Sequence, residues 1–248
     1  MKNNSLIQLL ESSGAQYAFY FRKQGQSQPL YAANCERFHS ASLIKLPLLL
    51  AWVLLERSGE VHRTEVCDLD AEPQVQGAGF SWMLRARQLP FQDVLLLMIS
   101  LSDNLCTNLI LRRIGLERAQ KLITEDLSLP GMELQRKLMD YEARDRGLDN
   151  YLTPAACIHL FDLFRSLTSA EQAWVYPMLE VNQDDLYLRR SIQRDTFTFY
   201  HKTGSMTNLA HDWGFTNDCD IFLLMQNIPD EPAAYDLFGQ AGHLLVTP

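Results

Sequence analysis

The chain has 248 residues, 47% hydrophobic and 21% charged, which allows a substantial core and is unlike a disordered or fibrous chain. Its formal charge of −8 excludes nucleic acid or an anionic membrane as the main partner, since either would need a basic stripe. The basic pairs at 112–113, 136–137 and 189–190 each have acidic neighbours and read as solvated helix faces.

The opening segment places Leu6, Leu9 and Leu10 on one side of a short helix. Tyr17 to Phe21 reads as a strand, and Pro29 to Ala33 as its hairpin partner across a turn at Gly25 and Gln26. From Ser42 to about Ser191 the pattern is helical, with helices expected near 43–57, 91–99, 103–114, 116–125, 154–166 and 169–180. Strand character returns at 196–201, 210–216 and 221–226, before a closing helix over 231–245. The fold class implied is α+β: one antiparallel sheet from both chain ends with flanking terminal helices, plus an inserted all-helical lobe. The chain is expected to form one domain, with an α/β lobe from 1–41 and 195–248 and a helical lobe from 42–194.

Cysteines stand at 35, 67, 106, 157 and 219, an odd number with no C-x-x-C and no zinc-ligand spacing, so reduced thiols are expected. No metal or cofactor is implied. The first residues lack the apolar core of a secretory signal. The longest apolar run, Leu43 to Leu55, carries Lys45 and Pro47 and is too short to span a bilayer, so a cytoplasmic location without membrane attachment is expected.

Three short motifs bear chemistry. Ser42-Leu43-Ile44-Lys45 opens an apolar helix, where positions three apart share a face and an amine can reach a hydroxyl. Apolar neighbours lower a lysine's affinity for its proton, which fits the amine to act as base for the serine. Alone, the same four residues describe a capping serine and a snorkelling lysine. Ser102-Asp103-Asn104 alone is a helix start, and Lys202-Thr203-Gly204-Ser205 alone is a strand ending at a turn. In this order, S-x-x-K, S-D-N and K-T-G form the signature of class A β-lactamases and penicillin-binding proteins.

Over roughly residues 15–230 the chain therefore resembles a class A β-lactamase-like serine hydrolase. Tyr151-Leu152-Thr153-Pro154 resembles the family's entry to the helix after its omega loop, and Asp212 its aspartate opening the next strand. The resemblance implies that Ser42 attacks a substrate carbonyl, assisted by Lys45, while Ser102 passes protons between Lys45, Lys202 and the leaving nitrogen. It implies that Asn104 holds the substrate's side-chain amide, and that Lys202, Thr203 and Ser205 bind a substrate carboxylate beside Gly204. The backbone N–H groups of Ser42 and Ser205 would form the oxyanion hole. The expected partner is a small molecule bearing a carboxylate, such as a β-lactam, ester or amide.

One departure bears on turnover. The family's deacylating glutamate aligns with Leu138 when Arg136 is matched to the family's loop arginine, and leucine cannot activate water. Asp140 and Glu142 are the remaining candidates for a deacylation base. Leu49 and Leu95 stand where many class A enzymes pair cysteines. The alternative to a turning-over hydrolase is a covalent acceptor or a pseudoenzyme using the same cleft. A cysteine or metal enzyme is disfavoured, because no histidine has suitable spacing to any cysteine or to another histidine.

Overall fold

The computed structural model describes residues 2–246, and the side chains of 5–246. Helix α1 (Lys2–Ser12) buries Leu6 and Leu10 but leaves Leu9 exposed, so its apolar face is narrower than the sequence suggests. Strands β1 (Gln16–Lys23) and β2 (Leu30–Ala33) form the expected hairpin. After the short strand β3 (Phe38–His39), a tight 3₁₀ turn (Ala41–Ile44) leads into α2 (Lys45–Arg57).

The middle segment holds more than helices. Strand β4 (Val66–Asp68) pairs with β5 (Gln88–Pro90), followed by α3 (Phe91–Ser100), α4 (Asn104–Ile114) and α5 (Leu116–Lys121), which runs into a wider turn at Leu122–Asp126. A short helix α6 (Tyr141–Asp145) follows, and β6 (Tyr151–Leu152) pairs back with β3. Helices α7 (Pro154–Arg165) and α8 (Ser169–Glu180) complete this part. Both starts are fixed locally: Thr153 caps α7 ahead of Pro154, and Thr168 with Glu171 forms a reciprocal capping box on α8.

The chain then returns through β7 (Tyr200–Met206), β8 (Leu209–Phe215) and β9 (Cys219–Gln226) to α9 (Glu231–Gly242). The antiparallel sheet has the order β2-β1-β9-β8-β7, so β1 near the start pairs with β9 near the end. Its inner strands are buried on both faces, which explains their near-continuous apolar runs. Alternation splits β1 between two cores. Tyr17, Phe19 and Phe21 join α1 and α9 on one side, while Ala18 and Tyr20 join the helices of the middle segment on the other.

Ring stacking fixes α7 against the second face. Phe161 lies 4.5 Å from Trp213, centroid to centroid, and the Trp213 indole donates to the Cys157 carbonyl at 2.8 Å. The five cysteines are unpaired and all but Cys35 are buried. Among the described residues, no helix is long and apolar enough to cross a membrane.

Candidate active site

Ser42 sits in the 3₁₀ turn and Lys45 is the first residue of α2, so the hydroxyl and the amine share a face, 3.0 Å apart. Lys45 is fully buried, since α2 is apolar on every side along its first three turns. Nζ also lies 3.0 Å from Ser102 Oγ, 2.6 Å from the Ser102 carbonyl oxygen and 3.1 Å from Asn104 Oδ1. The Asn104 amide is oriented by its own Nδ2, which donates to the Gln76 carbonyl at 3.0 Å.

Four oxygens thus surround the amine. The Ser102 carbonyl and Asn104 Oδ1 can only accept, so each takes an N–H bond from the amine. Burial, reinforced by the charge of Lys202, pushes the Lys45 amine well below its usual value against the opposing pull of Asp103.

Two non-glycine residues in the left-handed region build this shell. Ala41, directly ahead of Ser42, has φ 42°, and Ser102 has φ 56°, which turns both its carbonyl and its hydroxyl onto Lys45. Such conformations cost of order 1–3 kcal/mol and persist where packing over-determines them. Asp103 supplies that packing. Its carboxylate caps α4 through the Cys106 N–H and accepts the Ser81 N–H and hydroxyl at 2.8 and 2.7 Å. Gly79 fits against it at φ +75°; a β-carbon there would fall 2.1 Å from Asp103 Oδ2.

The K-T-G motif lies within β7 rather than at its end, because the strand runs on to Met206. Lys202 is fully buried and donates to the Thr203 carbonyl at 2.8 Å. Its ammonium is brought down to about 8 by burial, with Asp184 and then Asp212 pulling the other way. Asp212, expected at the opening of the next strand, lies mid-strand opposite Thr203, where it holds His201 Nδ1 at 3.1 Å and the Leu188 N–H.

A cavity of about 480 Å³ opens over these residues. It is lined by Ser42, Ser102, Asn104, Thr203, Gly204 and Ser205, while Lys45 and Lys202 lie beneath its surface. Two expected substrate ligands are already engaged: both polar atoms of Asn104 are bonded within the protein, and the Thr203 hydroxyl donates to Asp184 Oδ2 at 2.9 Å.

The loop ahead of β6 forms another wall. Leu138 lines the cavity, with its N–H and carbonyl both clamped by the Asn108 side chain at 2.9 and 3.0 Å. Asp140 and Glu142, the expected alternatives for a deacylation base, do not line it. Asp140 is the N-cap of α6, bonded to the Ala143 N–H, and Glu142 is exposed on that helix. Asp149 gathers His39, Arg136 and Arg144 on the same wall. Asn150 pins the loop through the N–H groups of Gln135 and Arg136.

Sequence reasoning missed Asp184, His39 and Arg144 as cavity residues, since each reaches the cleft through tertiary structure and belongs to no local motif. The cysteine reading finds no support here: burial pushes the Cys106 and Cys157 thiols far up, away from a reactive thiolate.

The model of the Beta-lactamase enzyme family matches residues 3–247. The chain belongs to that family. It is a β-lactamase-like serine hydrolase with the corresponding mixed helix-and-sheet fold. No curated protein matches the sequence. Among solved structures, a β-lactamase from Sphaerobacter thermophilus superposes with a TM-score of 0.85 at 23% identity, over 99% of this chain and 95% of that one. An ancestral class A β-lactamase gives 0.84 at 19% identity over 99% of each chain. A leucine-to-glutamate mutant of PBP-A, solved as an acyl-enzyme complex with penicillin G, gives 0.82 at 20% identity over 98% of this chain and 94% of that one. At these identities the likeness is one of fold.

Proposed function

We propose that Ser42 is the nucleophile of an acyl-transfer reaction and that neutral Lys45 is its base. The observation that carries this is the Lys45 shell, in which a buried amine is held by two acceptor-only oxygens with Ser42 Oγ at 3.0 Å. Lys45 takes the hydroxyl proton as Oγ attacks the carbonyl carbon. The negative charge that develops on the carbonyl oxygen faces the backbone N–H groups of Ser42 and Ser205. The proton passes through Ser102 to the leaving nitrogen as the C–N bond breaks, and Ser42 is left as an ester. Asn104 acts by positioning Lys45, and Lys202 supplies positive charge from below the cleft.

The cavity suits a small molecule, and the penicillin G bound to the PBP-A mutant supports penicillins as the first probes. Five unpaired cysteines support the cytoplasm as its compartment.

A second reading concerns the fate of the ester. Leu138, which aligns with the family's glutamate, lines the cavity, and neither Asp140 nor Glu142 does. This favours slow release, so that the protein spends most of its cycle acylated. Intact-mass analysis after exposure to penicillin G and a chromogenic cephalosporin tests both readings. The expected result is a mass increase on the Ser42 peptide that decays slowly and is absent in Ser42→Ala. An unmodified Ser42 after prolonged exposure would overturn the acyl-transfer reading; rapid hydrolysis with no accumulated adduct would overturn slow release.

A further inference from the structure

The loop ahead of β6 brings more cations to the cavity than it neutralises. Among the described residues, Asp149 is the one carboxylate on that wall, and Arg136, Arg144 and His39 share it. Arg136 holds the larger share: its Nε and Nη2 lie 2.9 and 2.7 Å from Oδ1, which also accepts the Asn150 N–H at 2.8 Å. At the second oxygen His39 Nδ1 stands at 3.3 Å and Arg144 Nε at 3.5 Å. Asp184, the other acid lining the cavity, belongs to the β7 side, where it accepts the Thr203 hydroxyl and is balanced by the buried Lys202.

Arg144 is the cation left over. Helix α6, which bears it, is anchored by the Asp140 cap on the Ala143 N–H and by the burial of Ala143. Tyr141 and Arg144, three apart on this helix, both line the cavity, whereas Glu142 and Asp145 are exposed and do not. Among the described residues, the Arg144 side chain has one polar partner, the approach of its Nε to Asp149. Its Nη groups, a rigid fork of N–H donors that matches the two oxygens of a carboxylate, are left for a ligand.

We propose that Arg144 is a specificity-determining residue that binds a carboxylate carried by the acyl half of the substrate. In the reaction above, the leaving nitrogen is served by Ser102 and Lys202, so the acyl half lies toward the remaining wall, the loop that bears Arg144. The substrate class is then an acyl donor with negative charge on the acyl side of the scissile bond, in addition to any carboxylate received over Lys202. An ammonium in the same place meets two guanidinium groups and an Asp149 whose oxygens are already engaged. This rests on the Ser42 reading for which half is acyl, but the charge preference itself is a property of binding. The Arg144 side chain is 43% exposed, so solvent screening holds each sign to a few-fold, or about tenfold between carboxylate and ammonium.

Three penicillins with the same ring carboxylate differ only at the side-chain α-carbon: penicillin G bears hydrogen, carbenicillin a carboxylate and ampicillin an ammonium. Second-order acylation rates, read by intact mass, should fall in the order carbenicillin, penicillin G, ampicillin, with about tenfold between the first and the last. Arg144→Gln should bring the three within about twofold of one another, and Arg144→Lys should keep their order. Arg146→Gln, which removes an exposed charge from the same loop but outside the cavity, should leave the order unchanged. Ampicillin reacting as fast as carbenicillin, an order that survives Arg144→Gln, or one that Arg146→Gln erases equally would overturn the proposal. Calorimetric binding of the same probes to Ser42→Ala reads the preference without chemistry. The same order of affinities with no acylation of the unmodified protein would support charge selection and sink the serine reading instead. Acylation of Ser42 with equal affinities for the three would sink charge selection alone.

Discussion

A β-carbon placed on Gly204 would stand 3.0 Å from the backbone nitrogen of Ser42 and 3.2 Å from the β-carbon of Ala41. The strand bearing the third motif is thus in contact with the turn bearing the first, and a side chain between them would have to displace its neighbours by a few tenths of an ångström. Gly204→Ala should push β7 and the nucleophile turn apart. An oxyanion donor displaced in this way is worth about 10²–10³ in rate, so acylation of Ser42 should fall by that order while the far-UV spectrum is retained. Stopped-flow acylation within a few-fold of the unmodified protein would contradict the contact.

Lys45→Met fills a similar volume without a base. Acylation is expected to fall about 10²- to 10⁴-fold, the usual worth of a positioned general base. Because Lys45 is fully buried, circular dichroism of the variant should be recorded alongside, and an unchanged fold with an unchanged rate would remove the amine from the mechanism.

On the proposed mechanism, the buried Lys202 should set an alkaline limit. With its proton held only to about pH 8, acylation should decline above that value as positive charge leaves the cleft floor. Lys202→Arg keeps its proton throughout, since guanidinium does not titrate in this range. The alkaline limb should then move upward in the pH–rate profile. Stability behaves oppositely in sign. Burial depresses the folded value below the ordinary 10.5, so the unfolded chain holds more protons between the two, and this group's contribution rises with pH there by about 3 kcal/mol in all. Urea unfolding at pH 7.5 and pH 10, compared with Lys202→Met, measures it.

Leu138→Glu supplies a carboxylate to a cavity wall whose backbone is already fixed by Asn108. The Ser42 adduct should then be lost about 100-fold faster or more, with the acylation rate little changed. An adduct lifetime equal to that of the unmodified protein would mean that the glutamate cannot reach the ester from this position.

The helical positions were legible because their signals are local. Thr153-Pro154 marks the start of α7 and Asp103 that of α4, and the chain needs no distant partner to realise either. Strand limits depend on neighbours instead. Thr196 to Phe199 alternates like a strand, yet β7 begins at Tyr200, since Thr196 ends a 3₁₀ turn and the Arg189 guanidinium donates to the carbonyls of Arg194 and Phe197. The two-residue strands β3 and β6 are too short to carry a period and exist only as partners of each other. In the site, the motif residues Ser42, Lys45, Ser102 and Lys202 were visible from spacing. Asp184 was not, because its hydroxyl partner lies on another element and nothing in Val181 to Leu186 distinguishes it from an ordinary loop acid.

The pairing of Tyr17 with Met225 has a consequence for synthesis. On the ribosome, β1 emerges about two hundred residues before the strand that completes it, whereas α2, α3 and α4 find one another within the stretch between. A nascent chain that has reached α8 already carries Ser42, Lys45 and Ser102, but β7, which bounds the nucleophile's cleft, has yet to be translated. On the proposed mechanism, Ser42 gains its complete cleft only when the chain is nearly finished.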